Sequence, residues 1–575
     1  SCAAVKGLQG SSDGTIAPDH VAATLKHLVG HGQPEGGQNT APGNYSLRVL
    51  YDYHMPPFRM CIEKVKPASV MPSYNEVDGI PSHSNKWLLK DVLRKEWGFD
   101  GMIVSDYYGV EQLCNKHFVV EDMKKAAEVG FNSGVQYEFP AGNCFKYLPE
   151  LVKEGKVAQA DVDKAVSQVL ELKFRLGLFE NPYVDSERAV KISKDKNSRA
   201  LALKAAHESI VLLKNDGLLP LKKNKYGKIA VIGPCAKEVF MGGYAGEPYQ
   251  KVSLFDGIKE KAGSKTEVLF AQGVKLTTNA TIPFFNWKLD EIKFPSREEN
   301  MKLIKQAVGV AKKADIVILA IGENEHLCRE AWAKTHIGDN MTLDLISQQE
   351  DLVKAIVETG KPVVVYLMNG RPLSVNYIEQ NVSAILEGWY MGQETGTAAA
   401  DIIFGDVNPS GKLTITIPKS AGQLPMFYNH KPSARVNDYI SMDTRPLFYF
   451  GYGLSYTSFR YSDLKLEKAK IKSGGSVKVK VDVTNSGKMA GDEIVQLYIR
   501  DKVSTVTRPV RELRGFRRVS LKPKETRTVT FEIKPEHLAF HDVNMKYVVE
   551  PGDFEIMVGG SSRDEDLLKV NLAVG

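Results

Sequence analysis

An aspartate follows an apolar run of strand length in the first third of the chain. The segment GMIVSD occupies residues 101–106 and ends on Asp106. Parallel barrels and sheets carry their reactive groups at the carboxyl ends of such strands. A carboxylate in this position costs free energy unless it is hydrogen-bonded or used in chemistry. Asp106 is therefore a candidate catalytic residue, and capping of the turn and helix that follow is the alternative interpretation.

A second candidate lies at Lys26 and His27, which stand side by side just before the glycine-rich segment GHGQPEGGQ, residues 30–38. A lysine and a neutral histidine can donate hydrogen bonds to sugar hydroxyls or to a carboxylate. A solvated lysine beside a structural histidine is the alternative. The glycines lack the GxGxxG spacing between a strand and a helix, so the segment does not predict a dinucleotide site.

A third candidate is a polar segment, residues 320–345, that follows the apolar run ADIVILAIG. It carries three carboxylates, Glu323, Glu325 and Glu330. Long loops after strands are usually functional or disordered, and ligands of open α/β sheets bind beyond the carboxyl ends of the strands. The segment therefore predicts either a ligand-facing loop or a solvated acidic one.

Three zones of the chain, which differ in the pattern of their apolar residues, must position these candidates. Residues 1–182 alternate helical and amphipathic patterns, among them VAATLKHLV, with short apolar strands, which is typical of a parallel sheet or barrel. Residues 195–445 open with a predicted helix, SRALALKAAHESIVLLKN, and continue with apolar runs that suit a parallel sheet covered on both faces. Residues 446–575 change to a period of two and predict a β-sandwich.

Composition excludes several classes of protein. The 575 residues are 43% hydrophobic and 25% charged, with a formal net charge of +6 and no basic block, so nothing indicates nucleic-acid binding. No apolar run reaches 18 residues, so no membrane span is expected. The six scattered cysteines show no CxxC spacing, and no HExxH or GxSxG motif occurs, so neither a metal site nor an α/β-hydrolase serine is expected.

One mismatch concerns the length of the first zone. A (β/α)₈ barrel takes roughly 250 residues and seldom fewer than 200. The first zone has 182 residues and begins in what reads as the end of a helix, SCAAVKGLQG. We expect either a smaller α/β domain or a barrel whose front part is absent from this chain.

Many segments, in order along the chain, resemble glycoside hydrolase family 3, the β-glucosidase and β-xylosidase family. They are KHLVGHG, SVMPSYNEVDGIPSHSNKWLLKDVLRKEWGFDGMIVSDYYGV, FRLGLFENPYVD, ESIVLLKNDGLLPL, ADIVILAIGE, GQETGTAAADIIFGDVNPSGKLTITIP, PLFYFGYGLSY and GDEIVQLYIRD with RPVRELRGF. The resemblance implies a multidomain α/β plus all-β fold: an incomplete (β/α)₈-like barrel, an α/β sandwich and a C-terminal fibronectin type III-like β-sandwich.

The resemblance also implies roles for particular residues. Asp106 matches the nucleophile of the SDY block. Glu330 matches the acid/base of members with a G-E-x₆-E-A spacing, and Glu325 and Glu323 are the fallbacks. The residues that match the sugar-binding positions are Lys26, His27, Met71, Tyr74 and Tyr107.

The implied function is that of a retaining exo-β-glycosidase that removes terminal non-reducing β-D-glucosyl residues by double displacement. A β-xylosidase or an enzyme with both activities is the alternative, and an inactive carbohydrate-binding fragment is the alternative from a different class. A β-N-acetylglucosaminidase and a glycoside phosphorylase, which also occur in the family, are further rivals.

The resemblance implies an oligosaccharide or an aryl or alkyl β-glycoside as substrate, with no cofactor and no metal. A separate front half of the barrel is expected as a further partner if the chain is naturally incomplete. Relatives of this family suggest a periplasmic or secreted location, which the sequence itself leaves open.

Overall fold

The computed structural model describes residues 1–278, 291–331, 333–334 and 336–575. Within these ranges the chain forms two compact units, Ser1–Ser186 and Glu187–Gly575. Each unit is described here by itself. The predicted domain limits of 1–182, 195–445 and 446–575 remain predictions.

The first unit is built on a parallel sheet of four strands with the order β1-β2-β5-β6. Its strands are β1 Thr24–Leu28, β2 Ser69–Pro72, β3 Glu76–Val77, β4 Ile80–Pro81, β5 Met102–Tyr107 and β6 Tyr137–Phe139, of which β3 and β4 form a separate antiparallel pair. Its helices are α1 Cys2–Gln9, α2 Leu47–Val49, α3 Pro56–Val65, α4 Gln112–Asn115, α5 Met123–Ser133, α6 Leu148–Lys153 and α7 Gln159–Arg175, with π-helical segments at Leu50–His54 and Trp87–Glu96.

The predicted βα alternation is present in this unit, and β5 coincides with the apolar run that ends in Asp106. The amphipathic segment VAATLKHLV contains strand β1 and not a helix. Thr24 and Leu25 pair in parallel with Ser69 and Val70, and the tertiary contacts of a sheet override a pattern that is equally compatible with a helix.

The second unit contains a sheet of six strands with the order β7-β12-β11-β10-β8-β9, in which only β7 is antiparallel to its neighbour. The strands are β7 Val211–Asn215, β8 Lys228–Ile232, β9 Glu267–Ala271, β10 Ile316–Gly322, β11 Val363–Met368 and β12 Ala384–Glu387. The helices of this part of the chain are α8 Ser186–Ser193, α9 Lys196–Ser209, α10 Leu254–Ala262, α11 Arg297–Lys313, α12 Gln349–Val357, α13 Asn376–Asn381 and α14 Thr395–Ile403. A hydrophobic core covers each face, as the apolar strands predict.

The helix predicted over SRALALKAAHESIVLLKN is wrong over its last six residues, 210–215. Helix α9 ends at Ser209, Ile210 has an extended backbone, and the chain continues as β7. Val211, Leu212 and Leu213 are buried, and β7 pairs with β12. Burial of this apolar run on both faces of a sheet outweighs the helical propensity of the preceding residues.

The C-terminal part forms a β-sandwich of a three-stranded sheet, β13-β15-β18, and a five-stranded sheet, β14-β22-β21-β16-β17. The elements are β13 Phe459–Leu466, β14 Lys470–Ile471, β15 Val477–Asn485, β16 Gly491–Asp501, β17 Glu512–Leu521, β18 Thr526–Ile533, α15 Pro535–Leu538, β19 Phe540–His541, β20 Tyr547–Val548, β21 Gly552–Gly559 and β22 Leu567–Val574. The alternation predicted for β15 is confirmed, because its four odd-numbered valines are all buried. None of the helices in the described ranges is both long and apolar enough to cross a bilayer.

Polar side chains gather where the parallel strands of the six-stranded sheet end. Glu323 follows β10, Asn369 follows β11, and Glu387 closes β12. Gly322 lets the chain leave β10, because its φ is 141° and a Cβ there would lie 1.9 Å from the carbonyl oxygen of Met368. Parallel strands thus bring carboxylates from distant parts of the sequence to one edge.

Glu387 occupies an almost fully buried position at this edge. Its Oε1 accepts a hydrogen bond from the Trp389 N–H at 3.0 Å, and its Oε2 accepts one from Asn369 Nδ2 at 3.3 Å. Burial outweighs these two bonds and raises the pKa of Glu387 to about 8. The carboxyl group is therefore neutral at pH 7 in the folded chain.

We expect Glu387→Gln to remove a pH dependence of stability. A carboxyl group whose pKa is raised on folding stabilises the fold below its unfolded pKa, and this contribution is lost as the pH rises to about 8. Between those limits the variant should gain on the natural chain by up to about 1.4 kcal/mol per pH unit. Urea unfolding at pH 5 and pH 8 measures this gain. Glu358→Gln, at an exposed position, is the matched control, and equal pH slopes for the two variants would contradict the assignment.

Candidate functional site

Asp106 occupies the carboxyl end of β5, where it is 7% exposed. Its Oδ1 accepts hydrogen bonds from the Tyr74 hydroxyl at 2.9 Å and from the Tyr107 N–H at 2.7 Å. Two donors on one oxygen stabilise the ionised carboxylate and fix its orientation.

The second oxygen of Asp106 has a different environment. Oδ2 lies 3.3 Å from His27 Nε2, and it accepts no hydrogen bond of good geometry from the described residues. Oδ1 is thus held by two hydrogen bonds, while Oδ2 accepts none from the described residues. A carboxylate acts as a nucleophile through an oxygen with an available electron pair, and Oδ2 is the oxygen that suits this role.

The backbone of Asp106 is held by a histidine that the sequence-based assignment of site residues does not include. The Asp106 N–H donates to His83 Nε2 at 3.0 Å, so this ring nitrogen carries no proton. Burial lowers the pKa of His83 to about 3, which keeps the imidazole neutral. Gly109 permits the contact, because a Cβ there would lie 2.3 Å from His83 Nε2. His83 lies within the same family-like block as Tyr74, but only the folded turn shows its role.

Tyr74 is itself positioned from two sides. Its hydroxyl also lies 2.8 Å from the main-chain oxygen of Tyr107, and its own main-chain oxygen accepts a hydrogen bond from His117 Nε2 at 3.0 Å. The other ring nitrogen of His117 contacts Glu76 Oε2 at 2.8 Å. His117 is far from Tyr74 in sequence, and no motif in the sequence marks this pairing.

The other predicted residues of the first unit lie on the same sheet, except Tyr74, which follows the end of β2. His27 and Tyr74 reach Asp106 directly, and Tyr107 contributes its N–H while its side chain is half exposed. Lys26 is exposed on β1, and Met71 is half-buried on β2. The strands β1, β2 and β5 are neighbours, so the sheet brings these sequence-distant positions together at the end where Asp106 stands.

In the second unit, the segment after β10 is fastened at its base by Arg371. The Arg371 guanidinium donates to both oxygens of Glu323, at 2.6 and 2.9 Å, and Glu323 is fully buried. The same guanidinium donates to the main-chain oxygens of Thr342 at 2.5 Å and Asp344 at 3.3 Å. Arg371 therefore joins the first residue of the loop to its last residues. We call this arrangement the loop clamp.

The three carboxylates of this loop have different surroundings. Burial raises the pKa of Glu323 against the opposing effect of Arg371, and both of its oxygens are engaged by the clamp. Glu325 Oε1 accepts main-chain hydrogen bonds from Met241 and Gly242. Glu330 is exposed, further out on the loop, where the Asp339 N–H bonds to the Arg329 oxygen at 2.9 Å. These surroundings favour a structural role for Glu323, and Glu330 is the most exposed of the three residues.

Family models match most of the chain. The glycosyl hydrolase family 3 N terminal domain matches residues 1–172, the glycosyl hydrolase family 3 C-terminal domain matches residues 210–456, and a fibronectin type III-like domain matches residues 493–562. The three matches follow the order of the two α/β sheets and the β-sandwich.

Relatives and solved structures agree with these matches. The chain is 40% identical to a beta-xylosidase of Formosa agariphila over 99% of its own length and 78% of the relative's. It is 38% identical to a periplasmic beta-glucosidase of Salmonella typhimurium over 97% and 74%. A β-glucosidase structure from Erythrobacter marinus superposes with a TM-score of 0.95 at 38% identity, covering 99% of this chain and 76% of that one. These comparisons support the expected multidomain fold, and they do not support a separate chain that supplies the front of a barrel.

We expect Arg371→Ala to destabilise the α/β part of the second unit. Removing one partner of a buried ion pair leaves Glu323 without its counter-charge, which typically costs about 3–5 kcal/mol. Adding Glu323→Gln should restore part of that loss, because the double variant buries no unpaired charge. Urea unfolding of the three proteins measures the effect.

The matched control for this prediction is Arg297→Ala, at an arginine that is 66% exposed and pairs with Asp351. An exposed pair of this kind contributes about 1 kcal/mol or less. If the two arginine variants lose equal free energy of unfolding, the loop clamp contributes no more to the stability of the fold than an exposed ion pair does.

Proposed function

Since this chain belongs to glycosyl hydrolase family 3, we propose that it is a retaining, exo-acting β-glycosidase that removes terminal non-reducing β-D-glucosyl residues. The substrate is an oligosaccharide or an aryl or alkyl β-glucoside. The observation that carries the proposal is the carboxylate of Asp106, with one oxygen anchored by two donors and the other uncommitted. Solved relatives include a β-glucosidase of Listeria innocua in complex with isofagomine and with glucose, at 33% identity.

In the first step, Asp106 Oδ2 forms a bond to the anomeric carbon while the bond to the leaving oxygen breaks. The product is a covalent glycosyl ester, and the negative charge of the carboxylate is consumed. Tyr74 and the Tyr107 N–H hold the other oxygen of Asp106 throughout. His27 Nε2, at 3.3 Å from the attacking oxygen, is placed to bond to a sugar hydroxyl next to the reacting carbon.

We assign proton transfer to Glu330. As the acid it donates a proton to the leaving oxygen, and as the base it then takes a proton from the water that releases the sugar. Glu330 lies on the loop that the loop clamp holds at both ends, through the contacts of Arg371 with Glu323 and with the Thr342 main-chain oxygen. Glu323 is engaged by Arg371 and is assigned a structural role.

A β-xylosidase, or an enzyme with both activities, is the second candidate. The 40% identical relative of Formosa agariphila carries that name, and so does another at 37% identity. The two substrates differ by one hydroxymethyl group, whose recognition is worth only about 1–3 kcal/mol in a pocket. The ratio of kcat/KM for 4-nitrophenyl β-D-glucoside and β-D-xyloside decides between them, and a ratio above one supports the main proposal.

We expect Asp106→Asn to lower kcat/KM on both aryl glycosides by at least about 10⁴-fold, because the amide cannot form the covalent intermediate. Steady-state kinetics measure the loss, and the far-ultraviolet circular dichroism and melting temperature should remain near those of the natural chain. Asp100→Asn, at an exposed position just before the same strand, is the control. Full activity in Asp106→Asn would refute the assignment, and absence of turnover in the natural chain would favour the inactive binding fragment.

Glu330→Ala should reduce turnover of substrates with poor leaving groups by about 10²–10⁴-fold, because proton transfer to the leaving oxygen is lost. An activated aryl glycoside, which needs no protonation, should react at a rate closer to normal. Added azide should restore turnover and yield a glycosyl azide, which chromatography identifies. The same pattern in Glu325→Ala in place of Glu330→Ala would assign the acid/base to Glu325.

A further inference from the structure

A cavity of about 200 Å³ lies within the second unit, remote in sequence from both proposed catalytic carboxylates. Most of its lining comes from residues 428–449 ahead of the β-sandwich, from Arg511 just before β17, and from residues 562–565 between β21 and β22. Thr416 completes the lining. Neither Asp106 nor Glu330 lines it. Binding of a ligand in this cavity would therefore not depend on the proposed function.

The walls of the cavity are held in place by contacts between these segments. Tyr428 stacks on Phe450 with ring centres 4.1 Å apart, and its hydroxyl accepts a hydrogen bond from the Leu513 N–H at 3.1 Å. The Ser562 N–H bonds to the Phe450 oxygen at 3.0 Å, and the Val510 N–H bonds to the His430 oxygen at 3.0 Å. A small ligand would meet a site that is formed before it binds.

Most charges around the cavity are already paired. Arg511 is 11% exposed in its side chain and lies 3.1 Å from Asp564, which also contacts a lysine. Arg445 pairs with Asp443 at 2.9 Å, and the Glu565 carboxylate lies 3.7 Å from an arginine at the rim. Among the described residues, one arginine of the lining has no carboxylate at ion-pair distance.

That cation is Arg435. Within the described ranges its guanidinium donates to the main-chain oxygen of Phe427 and faces no carboxylate at ion-pair distance. Partial burial lowers the pKa of Arg435, although an arginine remains charged. Its backbone is also held in the left-handed region, with a φ of 58°. Strain of this kind concentrates at binding sites.

The neutral groups of the lining suit a sugar ring. His430 donates from Nδ1 to the Lys431 oxygen at 2.8 Å, so its Nε2 is an acceptor in the neutral imidazole. Burial lowers the pKa of His430, and the nearby Arg435 and Arg511 act in the same direction, which maintains that neutral form. The ring of Tyr449 and the hydroxyl of Thr444 complete a surface with an aromatic face and hydroxyl partners.

We propose that this cavity binds one acidic sugar unit, a hexuronate, whose carboxylate pairs with the Arg435 guanidinium. The planar fork of an arginine matches a carboxylate with two parallel hydrogen bonds. A sugar hydroxyl donates to His430 Nε2, and the ring lies against Tyr449. The volume is below the range of about 300–1,000 Å³ found for drug-sized ligands, so it fits a single ring and not a longer chain.

The experiment is a calorimetric titration of the full chain with sodium D-glucuronate, D-glucuronamide and D-glucose. We expect millimolar affinity for glucuronate and at least tenfold weaker binding of glucuronamide, which has the same shape without the charge. Arg435→Gln should weaken glucuronate binding at least tenfold. Arg460→Gln, at an exposed arginine outside the cavity, is the matched control and should bind as the natural chain does.

Three results would overturn the proposal: glucuronate and glucuronamide binding equally, Arg435→Gln binding as the control does, or D-glucose displacing glucuronate and so placing it at a site for neutral sugars. The comparison of ligands and the glucose competition need only the natural chain, so the proposal stays falsifiable if Arg435→Gln does not fold. The folded variant should hydrolyse aryl glycosides at the natural rate.

Discussion

A carboxylate that is buried at the end of a strand must be stabilised by its neighbours, and much of this molecule is arranged around that requirement. The chain meets it in three ways. Asp106 accepts hydrogen bonds from a tyrosine hydroxyl and a main-chain N–H on one of its oxygens. Glu323 stays with its counter-ion through the two-pronged contact with Arg371, and Glu387 gives up its charge because its pKa is raised. Only the first solution leaves an oxygen uncommitted, and this difference separates the proposed nucleophile from the structural acids.

The parts of the fold that depend on local pattern could be predicted from the sequence. Strand β5 with its terminal Asp106, and the alternating valines of β15, follow from runs of apolar residues whose period is unambiguous. The segments 21–29 and 211–215 were less predictable, because their patterns suit a helix as well as a strand. Pairing with β2 and β12, respectively, decides them, and such partners are distant in sequence.

In the candidate site, too, some features could be predicted from local sequence and others depend on contacts between distant residues. The types of side chain in the first unit could be predicted, because His27, Tyr74 and Asp106 each stand in a recognisable block. The supporting contacts could not be predicted, since His83 reaches Asp106 through a main-chain N–H and Arg371 reaches Glu323 across 48 positions of sequence. Family membership supplies the reaction, whereas the hydrogen bonds distinguish carboxyl groups that the sequence presents as equivalents.

The loop clamp holds the two ends of the segment after β10, whereas the residues between these ends can vary. Arg371 secures residues 323 and 342–344 and makes no demand on the side chains between them. Leu327 packs into the core on one face of the sheet and Cys328 contacts Tyr390, so this part of the interval is constrained. Insertions and substitutions beyond Cys328 can accumulate through evolution without disturbing those contacts. This part of the chain offers a natural place for divergence of leaving-group preference among descendants of a common ancestor.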